Sequence, residues 1–418
     1  MDKPFNSNSS NRRRFLSNGG ALLAAGGTLL GAGADNLFGQ GIQPADWFNV
    51  VAFGAKGNGV TDDSAAIQSA VDALAQNGRG ILYFPPSKRY LVAEEVQLRA
   101  DNMTVWLWGA EILGPTGGTA AGGLMTVVDR RNLSRIFSNV SVYGGLISIR
   151  SSADNGLNVF TGHHVLFCGV RVAMTPGRGA FAIQADTQFT GVAPAAQYVK
   201  LTGCECYGTG YAGVSLQFAG IDNLLADIIV ENISVKGVDY PVLCSNTGST
   251  GLSMYRITVS NGTFTQCNTG IFLNGVKQSV FDNLIMQGAS FRGIEAHEVH
   301  DCLISNVSIN GQSGSNAGVV LFDYARLNLT NFDINGPFTF GVYNAMYDAT
   351  IGPGKIRGSS TGVTTVSDTQ RSVYSGVEFD TCATLFNAYR AGDQYFKIVE
   401  RRGTKALLIR DDTTVSAA

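Results

Sequence analysis

Charge is what this chain has least of. Only 15% of its 418 residues are Asp, Glu, Lys or Arg, and 30 basic against 32 acidic side chains leave a formal net charge of -2. So balanced a chain has no basic field with which to draw in nucleic acid. Zinc-ligand spacings are missing too. Cys168, Cys204, Cys206, Cys244, Cys267, Cys302 and Cys382 fit no structural-zinc pattern, and Cys204 and Cys206 stand too close for a redox C-x-x-C. Seven cysteines cannot all pair, and they read as small residues buried in the interior. Helix-forming runs are nearly absent after residue 80. The regular Leu-x-x-Leu-x-Leu of a leucine-rich repeat is absent as well.

What is abundant is glycine, 52 residues in a chain that is 44% hydrophobic. That is too apolar for disorder and too glycine-rich for a helical bundle. A single globular core seldom grows to this length. A solenoid escapes the limit because each coil contacts only its neighbours.

The first residues predict an export signal rather than fold. Asn11-Arg12-Arg13-Arg14-Phe15-Leu16 precedes an uncharged Gly/Ala-rich run, and Ala32-Gly33-Ala34 supplies a small-x-small cleavage site. The pattern is similar to a twin-arginine signal with Arg12 and Arg13 as the pair. The run is milder than a transmembrane helix, so no stable membrane insertion is expected. The division read from this is 1–34 signal peptide, 35–46 linker and 47–418 one folded domain. The mature protein is then periplasmic or secreted, and the twin-arginine translocase is its partner during export.

The segment 48–92 is the most specific stretch. An apolar strand from Phe48 to Phe53 enters a Gly-rich turn. Thr61 or Asp62 can cap a helix over about 61–77, whose apolar face is Ala66, Ile67, Ala70, Val71 and Leu74. Asp62 and Asp63 suit the positive helix start better than a catalytic pair. Ile81 to Phe84 then forms a strand. After residue 102 the chain repeats weakly. Gly213-Val214, Gly270-Ile271, Gly293-Ile294, Gly318-Val319, Gly341-Val342 and Gly362-Val363 recur at intervals of about 21 to 29 residues, doubled across Pro241. A second series, Asn232, Asn261, Asn283, Asn306 and Asn331, marks left-handed turns where side-chain amides can stack in a ladder. Trp106 and Trp108 alternate, to pack with Trp47 under the N-terminal end or to stack on sugar rings. The charged segment 389–418 is expected to cover the C-terminal edge.

The segment 48–92 resembles the opening of the pectate-lyase-like superfamily, which includes polygalacturonases, alginate epimerases and phage tailspikes. The resemblance implies an all-β, right-handed, single-stranded parallel β-helix with an N-terminal capping α-helix. It also implies an acidic polysaccharide as partner and substrate, as monomer or homotrimer. The superfamily's catalytic motifs do not carry over. Asn246-Thr247-Gly248 has glycine where polygalacturonases place an acid, Lys355-Ile356-Arg357 reverses their Arg-Ile-Lys, and no Asp-Pro-His-Glu is present. Calcium is the one cofactor left open, although no run of aspartates on successive coils stands out.

Strand alternation then selects a site. If the first apolar residue after each small one faces inward, the outward pairs include Asn158/Phe160, Ser215/Gln217, Leu243/Ser245, Phe272/Asn274, Glu295/His297, Val320/Phe322 and Tyr343/Ala345. Glu295 and His297 stand out. Lys277 on the coil before, and Asp323, Tyr324 and Arg326 on the coil after, are expected to share their groove. β-Elimination of a uronate needs a base, a cation or amide on the carboxylate, and an acid. The expected roles are His297 as base, Arg326 or Lys277 as neutraliser and Tyr324 as acid, with Gln217, Asn274, Arg178, Asp186 and Tyr343 as further substrate contacts. Glu295 with Asp323 would instead serve a glycoside hydrolase or glycan-forming transferase. A groove with no base would mark a glycan-binding envelope protein. A second cluster, Asp154, His163, His164, Arg178 and Asp186, is an alternative centre.

Replacing both Arg12 and Arg13 by Lys is expected to abolish export. Cell fractionation checks this, and the protein found outside the cytoplasm in undiminished amount would refute it.

Overall fold

The computed structural model describes residues 46–119, 121–185, 195–218, 225–246, 254–323, 326–366, 369, 371–389, 394–401, 407–410 and 415–417. The chain divides into compact units at Trp47/Phe48. The first is described only at Asp46 and Trp47, so the expected signal with Arg12 and Arg13 lies outside the described residues.

The second unit is a right-handed parallel β-helix. The helix α1 (Ser64–Asn77) turns Ile67, Ala70, Val71 and Leu74 into the core and ends at Gly78 in the left-handed conformation (φ 82°). It starts later than the sequence suggested, because Thr61 and Asp62 belong to the strand Asn58–Asp62. Asp62 still serves the helix start by accepting from the Ser64 amide at 3.0 Å. Asp63, 1% exposed, accepts from the Lys56 and Gly57 amides at 2.6 and 3.0 Å and so ties the Gly-rich turn to the helix. Both carboxylates are structural, as expected.

Among the described residues the strands pair in parallel from coil to coil, and the coils contribute to three faces. In the coil that begins at Met254, residues 254–260 lie on face 2, the turn at Asn261 leads to 263–265 on face 3, and Thr269–Asn274 forms face 1. The register is unbroken across face 1 through much of the chain. Ile271, Ile294, Val319, Val342 and Val363 stack one above another, all fully buried. Parallel strands about 4.8 Å apart thus build one continuous apolar column from residues some 23 positions apart.

Two repeats in the sequence have distinct causes. Asn232, Asn261, Asn283, Asn306 and Asn331 all occupy the left-handed conformation, with φ between 47° and 54°, at the corner between faces 2 and 3. The Asn283 amide donates to the Asn261 side-chain oxygen at 2.6 Å, and Asn331 donates likewise to Asn306. The glycines before each face 1 strand answer a different need. A Cβ on Gly270, Gly318 or Gly341 would lie 2.6–2.7 Å from the carbonyl oxygen of Gly293, Gly341 or Gly362 on the next coil. They permit close approach of backbones, not unusual torsions.

No disulfide joins the described cysteines, and all but Cys168 are buried. Cys302 and Cys382 point their thiols at carbonyls of the preceding coil, Val276 and Ile356, each at 3.6 Å. Burial pushes Cys302 up to about 11 and Cys206 to about 12. Three strands of the segment expected to cover the C-terminal edge are described. Its strands Gln394–Arg401, Leu407–Arg410 and Val415–Ala417 continue the parallel ladders, the first with register shifts on either side of Ser375.

Gly318→Ala is expected to lower stability by about 1–3 kcal/mol, the range for overpacking, since its Cβ would meet the Gly341 carbonyl and Ile334. Gly117→Ala, with nothing within 4 Å, should change it by no more than about 0.5 kcal/mol. Denaturant midpoints of the two variants check the contrast.

Candidate active site

Face 1 presents two outward columns. The nearer-entry column places Ser215, Leu243, Phe272, Glu295, Val320 and Tyr343 on successive coils. In the other, Gln184 pairs with Gln217 and Gln217 with Ser245, and farther along Asn274, His297, Phe322 and Ala345 follow one another. Alternation therefore holds as read, although Asn158, Ser215, Leu243 and Val320 are buried despite facing outward.

Glu295 and His297 meet. The imidazole Nε2 lies 3.0 Å from Glu295 Oε1, and Nδ1 lies 3.3 Å from Asp323 Oδ2. Glu295 also forms an ion pair with Arg292, which the sequence reading missed. Arg292 opens the same strand, Arg292–His297, and its guanidinium lies 4.4 Å from the Phe291 ring centre. Period-two alternation sets positions 292 and 295 on opposite sides, so no sequence signal marked the contact. In the structure Gly293 and Ile294 are both buried, and Arg292 and Glu295 on either side of them both reach outward. Asn274 is the in-register neighbour of His297 on the coil before, and Phe322 is its stacked neighbour on the coil after, ring centres 4.8 Å apart.

The electrostatics follow from these contacts. Burial alone would depress His297, but the carboxylates of Glu295 and Asp323 outweigh it and raise its pKa above 6.5. Burial pushes Glu295 up, yet His297 and Arg292 together bring it below 4.5. A raised histidine contributes stability that is fully present below its unfolded pKa and is lost as pH rises through its folded pKa. A depressed carboxylate contributes above its unfolded pKa and loses that as pH falls through its folded pKa. The Glu295–His297 pair is therefore strongest at mildly acidic pH, between those two values.

The remaining expected residues are dispersed. Lys277 lies on face 2, in the strand Val276–Lys277, with its ammonium 5.9 Å from the Tyr255 ring centre. Arg326 pairs with Asp301 at 2.8 Å beside face 2. Neither shares the groove of Glu295, because the corner after face 1 turns the chain onto another wall within a few residues. Tyr324 and Asp186 lie outside the described residues. Gln217 accepts from Gln184 at 3.1 Å on face 1, and Tyr343 lies 5.7 Å from Phe322. Arg178 is exposed at the corner before face 1. The second cluster does not assemble. Asp154 is fully buried and accepts from the Thr119 amide and hydroxyl, whereas His163 and His164 sit on face 2, His164 stacked on Tyr198 at 4.7 Å. Trp106 lies beside Tyr143, 6.2 Å between ring centres. Trp108, half exposed, lies over Gly144 and Gly169 rather than beneath α1. Among the described residues no three His, Cys, Asp or Glu side chains form a group arranged to hold a metal ion.

The family model described as rhamnogalacturonase A/epimerase, pectate lyase-like, matches residues 47–295. The chain belongs to this family. Curated relatives match it locally: alginate lyase 7 of Azotobacter vinelandii is 55% identical over 38 residues, 9% of this chain and 4% of that protein. Mannuronan C5-epimerase AlgE6 of the same organism is 51% identical over 41 residues, 10% of this chain and 5% of that protein. The chain thus spans about one-twentieth of the length of these relatives. Among solved structures, the Streptococcus pneumoniae surface protein and adhesin PfbA superposes with a TM-score of 0.58 at 13% identity, covering 82% of this chain and 99% of that one. A tailspike protein mutant of E. coli bacteriophage HK620, in complex with a hexasaccharide, gives 0.53 at 11% identity over 82% and 78%. These two likenesses are of fold.

Glu295→Gln is expected to lower the His297 pKa toward 6.5, since one of the two carboxylates holding the imidazolium disappears. Titration of the His297 imidazole by NMR checks the direction.

Proposed function

We propose that the protein is an exported polysaccharide lyase that cleaves beside a uronate by β-elimination, with His297 as its base. The observation that carries this reading is the chain of contacts Arg292–Glu295–His297. Arg292 holds Glu295 ionised, and Glu295 holds the imidazole at Nε2. With Nε2 donating to Glu295, the neutral ring keeps its lone pair at Nδ1, which is open to the substrate once the exposed Asp323 carboxylate, 3.3 Å away, is displaced. A base held in one tautomer by a carboxylate, with its other nitrogen facing outward, is the arrangement that proton abstraction requires.

In this reaction Nδ1 takes the proton from the carbon beside the uronate carboxylate. The electron pair released forms the new carbon–carbon double bond, and the glycosidic oxygen leaves. The imidazolium so formed returns that proton to the departing oxygen. Charge on the uronate carboxylate has to be met by a donor. Lys277 and Arg326 are too far round the helix for it, and Arg292 is committed to Glu295. Asn274, beside His297 in register, supplies an amide in their place. Export rests on the Arg12–Arg13 segment.

A hydrolase is the second reading, favoured by Glu295 and Asp323 flanking His297 from two coils. Its products lack the ultraviolet band of an unsaturated uronate, so absorbance separates the two.

His297→Ala should cut the formation of unsaturated product by about a hundred- to ten-thousandfold while leaving the denaturant midpoint within about 1 kcal/mol. Activity should rise with pH through the raised His297 value, because only the neutral ring accepts a proton. Undiminished turnover in the variant would remove His297 from the mechanism.

A further inference from the structure

The outward columns of face 1 run in register from Thr126, through Glu295, to Asn387. Among the described residues they contain no lysine and no arginine. Two cations beside them are engaged, Arg130 with Glu95 at 2.8 Å and Arg292 with Glu295, and Arg178 stands exposed at the corner before face 1. With His297 neutral, Glu295 in its pair with Arg292 and Asp323 beside the ring are the ionised groups at the centre of this wall.

What the columns offer instead is neutral. Gln184, Gln217 and Ser215 lie on the N-terminal side of His297, and Phe272, Phe322 and Tyr343 surround it. Four polar atoms of the column, Asn158 Oδ1, Ser215 Oγ, Thr364 Oγ1 and Asn387 Oδ1, are buried and have no hydrogen-bond partner among the described residues. The aromatic rings form a strip: Tyr240, Phe272, His297, Phe322 and Tyr343 follow one another with centres 4.8–6.0 Å apart.

We propose that this face binds a heteropolysaccharide in which an isolated uronate is flanked by neutral sugars, rather than a polyuronate. The place of the uronate at His297 rests on the lyase reading above; the neutral flanks rest on the columns themselves. A polyuronate carries one carboxylate on every sugar. Laid along this wall, each would lose water against Leu243 or Ser215 without a counter-charge and would face Glu295 and Asp323 as like charges. A neutral ring avoids both penalties. Its hydroxyls exchange water for the amides of Gln184 and Gln217, and its apolar face covers an aromatic ring.

The test uses the full-length His297→Ala protein, which binds without turnover. Its dissociation constant is measured for oligogalacturonate and for oligosaccharides of a gum whose repeat has one glucuronate among neutral hexoses, at low and high salt. The gum oligosaccharides should bind at least about tenfold more tightly, and their affinity should fall less than about threefold between the two salts, as for contacts that are largely uncharged. Gln217→Lys in the same background should narrow the gap by strengthening oligogalacturonate. Equal or tighter binding of oligogalacturonate overturns the proposal, as do steep salt dependence for both ligands and failure to bind either. The lyase reading is scored separately on the unmodified protein: gum binding without unsaturated product rejects the lyase and leaves the substrate class standing.

Discussion

Hydrogen bonding between parallel strands in strict register is the constraint from which the rest follows. Each coil is closed by three short strands, and none is stable alone. Every backbone group on a face finds its partner in the coil above or below, so one coil fixes the torsions and phase of the next. The same spacing of about 4.8 Å that satisfies the backbone also brings side-chain columns into contact. Apolar columns facing inward make a continuous core without a hub. Outward columns make a long wall on which Glu295, His297 and Asp323, drawn from two coils, become neighbours.

At the centre of that wall the charges are arranged in sequence rather than in a cluster. Arg292 answers Glu295, Glu295 answers His297, and Asp323 stands on the open side of the ring. The order gives each group a different state. Glu295 stays ionised to lower pH than a free carboxylate, whereas His297 stays charged to higher pH than a free imidazole. A ring with a strengthened base and one fixed nitrogen is suited to proton transfer only from its other side.

The fold was legible from a few positions because their constraints are local. Left-handed turns select asparagine at 232, 261, 283, 306 and 331, and close backbone approach selects glycine at 270, 293, 318, 341 and 362. Alternation correctly set Glu295 and His297 on one side. Lys277 and Arg326 were misplaced for a reason equally local. The turns between faces are only a few residues long, so proximity in number does not mean a shared wall. Arg292 escaped notice because the corner of the coil, where Gly293 and Ile294 both turn inward, breaks the period-two rule on which the reading depended. The helix start was misjudged by about one turn of chain: Thr61 and Asp62 are strand residues, and Asp62 reaches the first helical amide from outside.

The thiols directed at carbonyls of the coil beneath have a further consequence. Cys302 and Cys382 cannot be reached by a reagent while their coils stay stacked, and burial keeps Cys302 protonated far above neutrality. Each coil that carries such a cysteine holds a built-in clock. Its rate of alkylation would time how often that one turn of the spiral lifts away from its neighbour, and a series of them along the axis would tell whether the protein unravels from an end or opens in the middle.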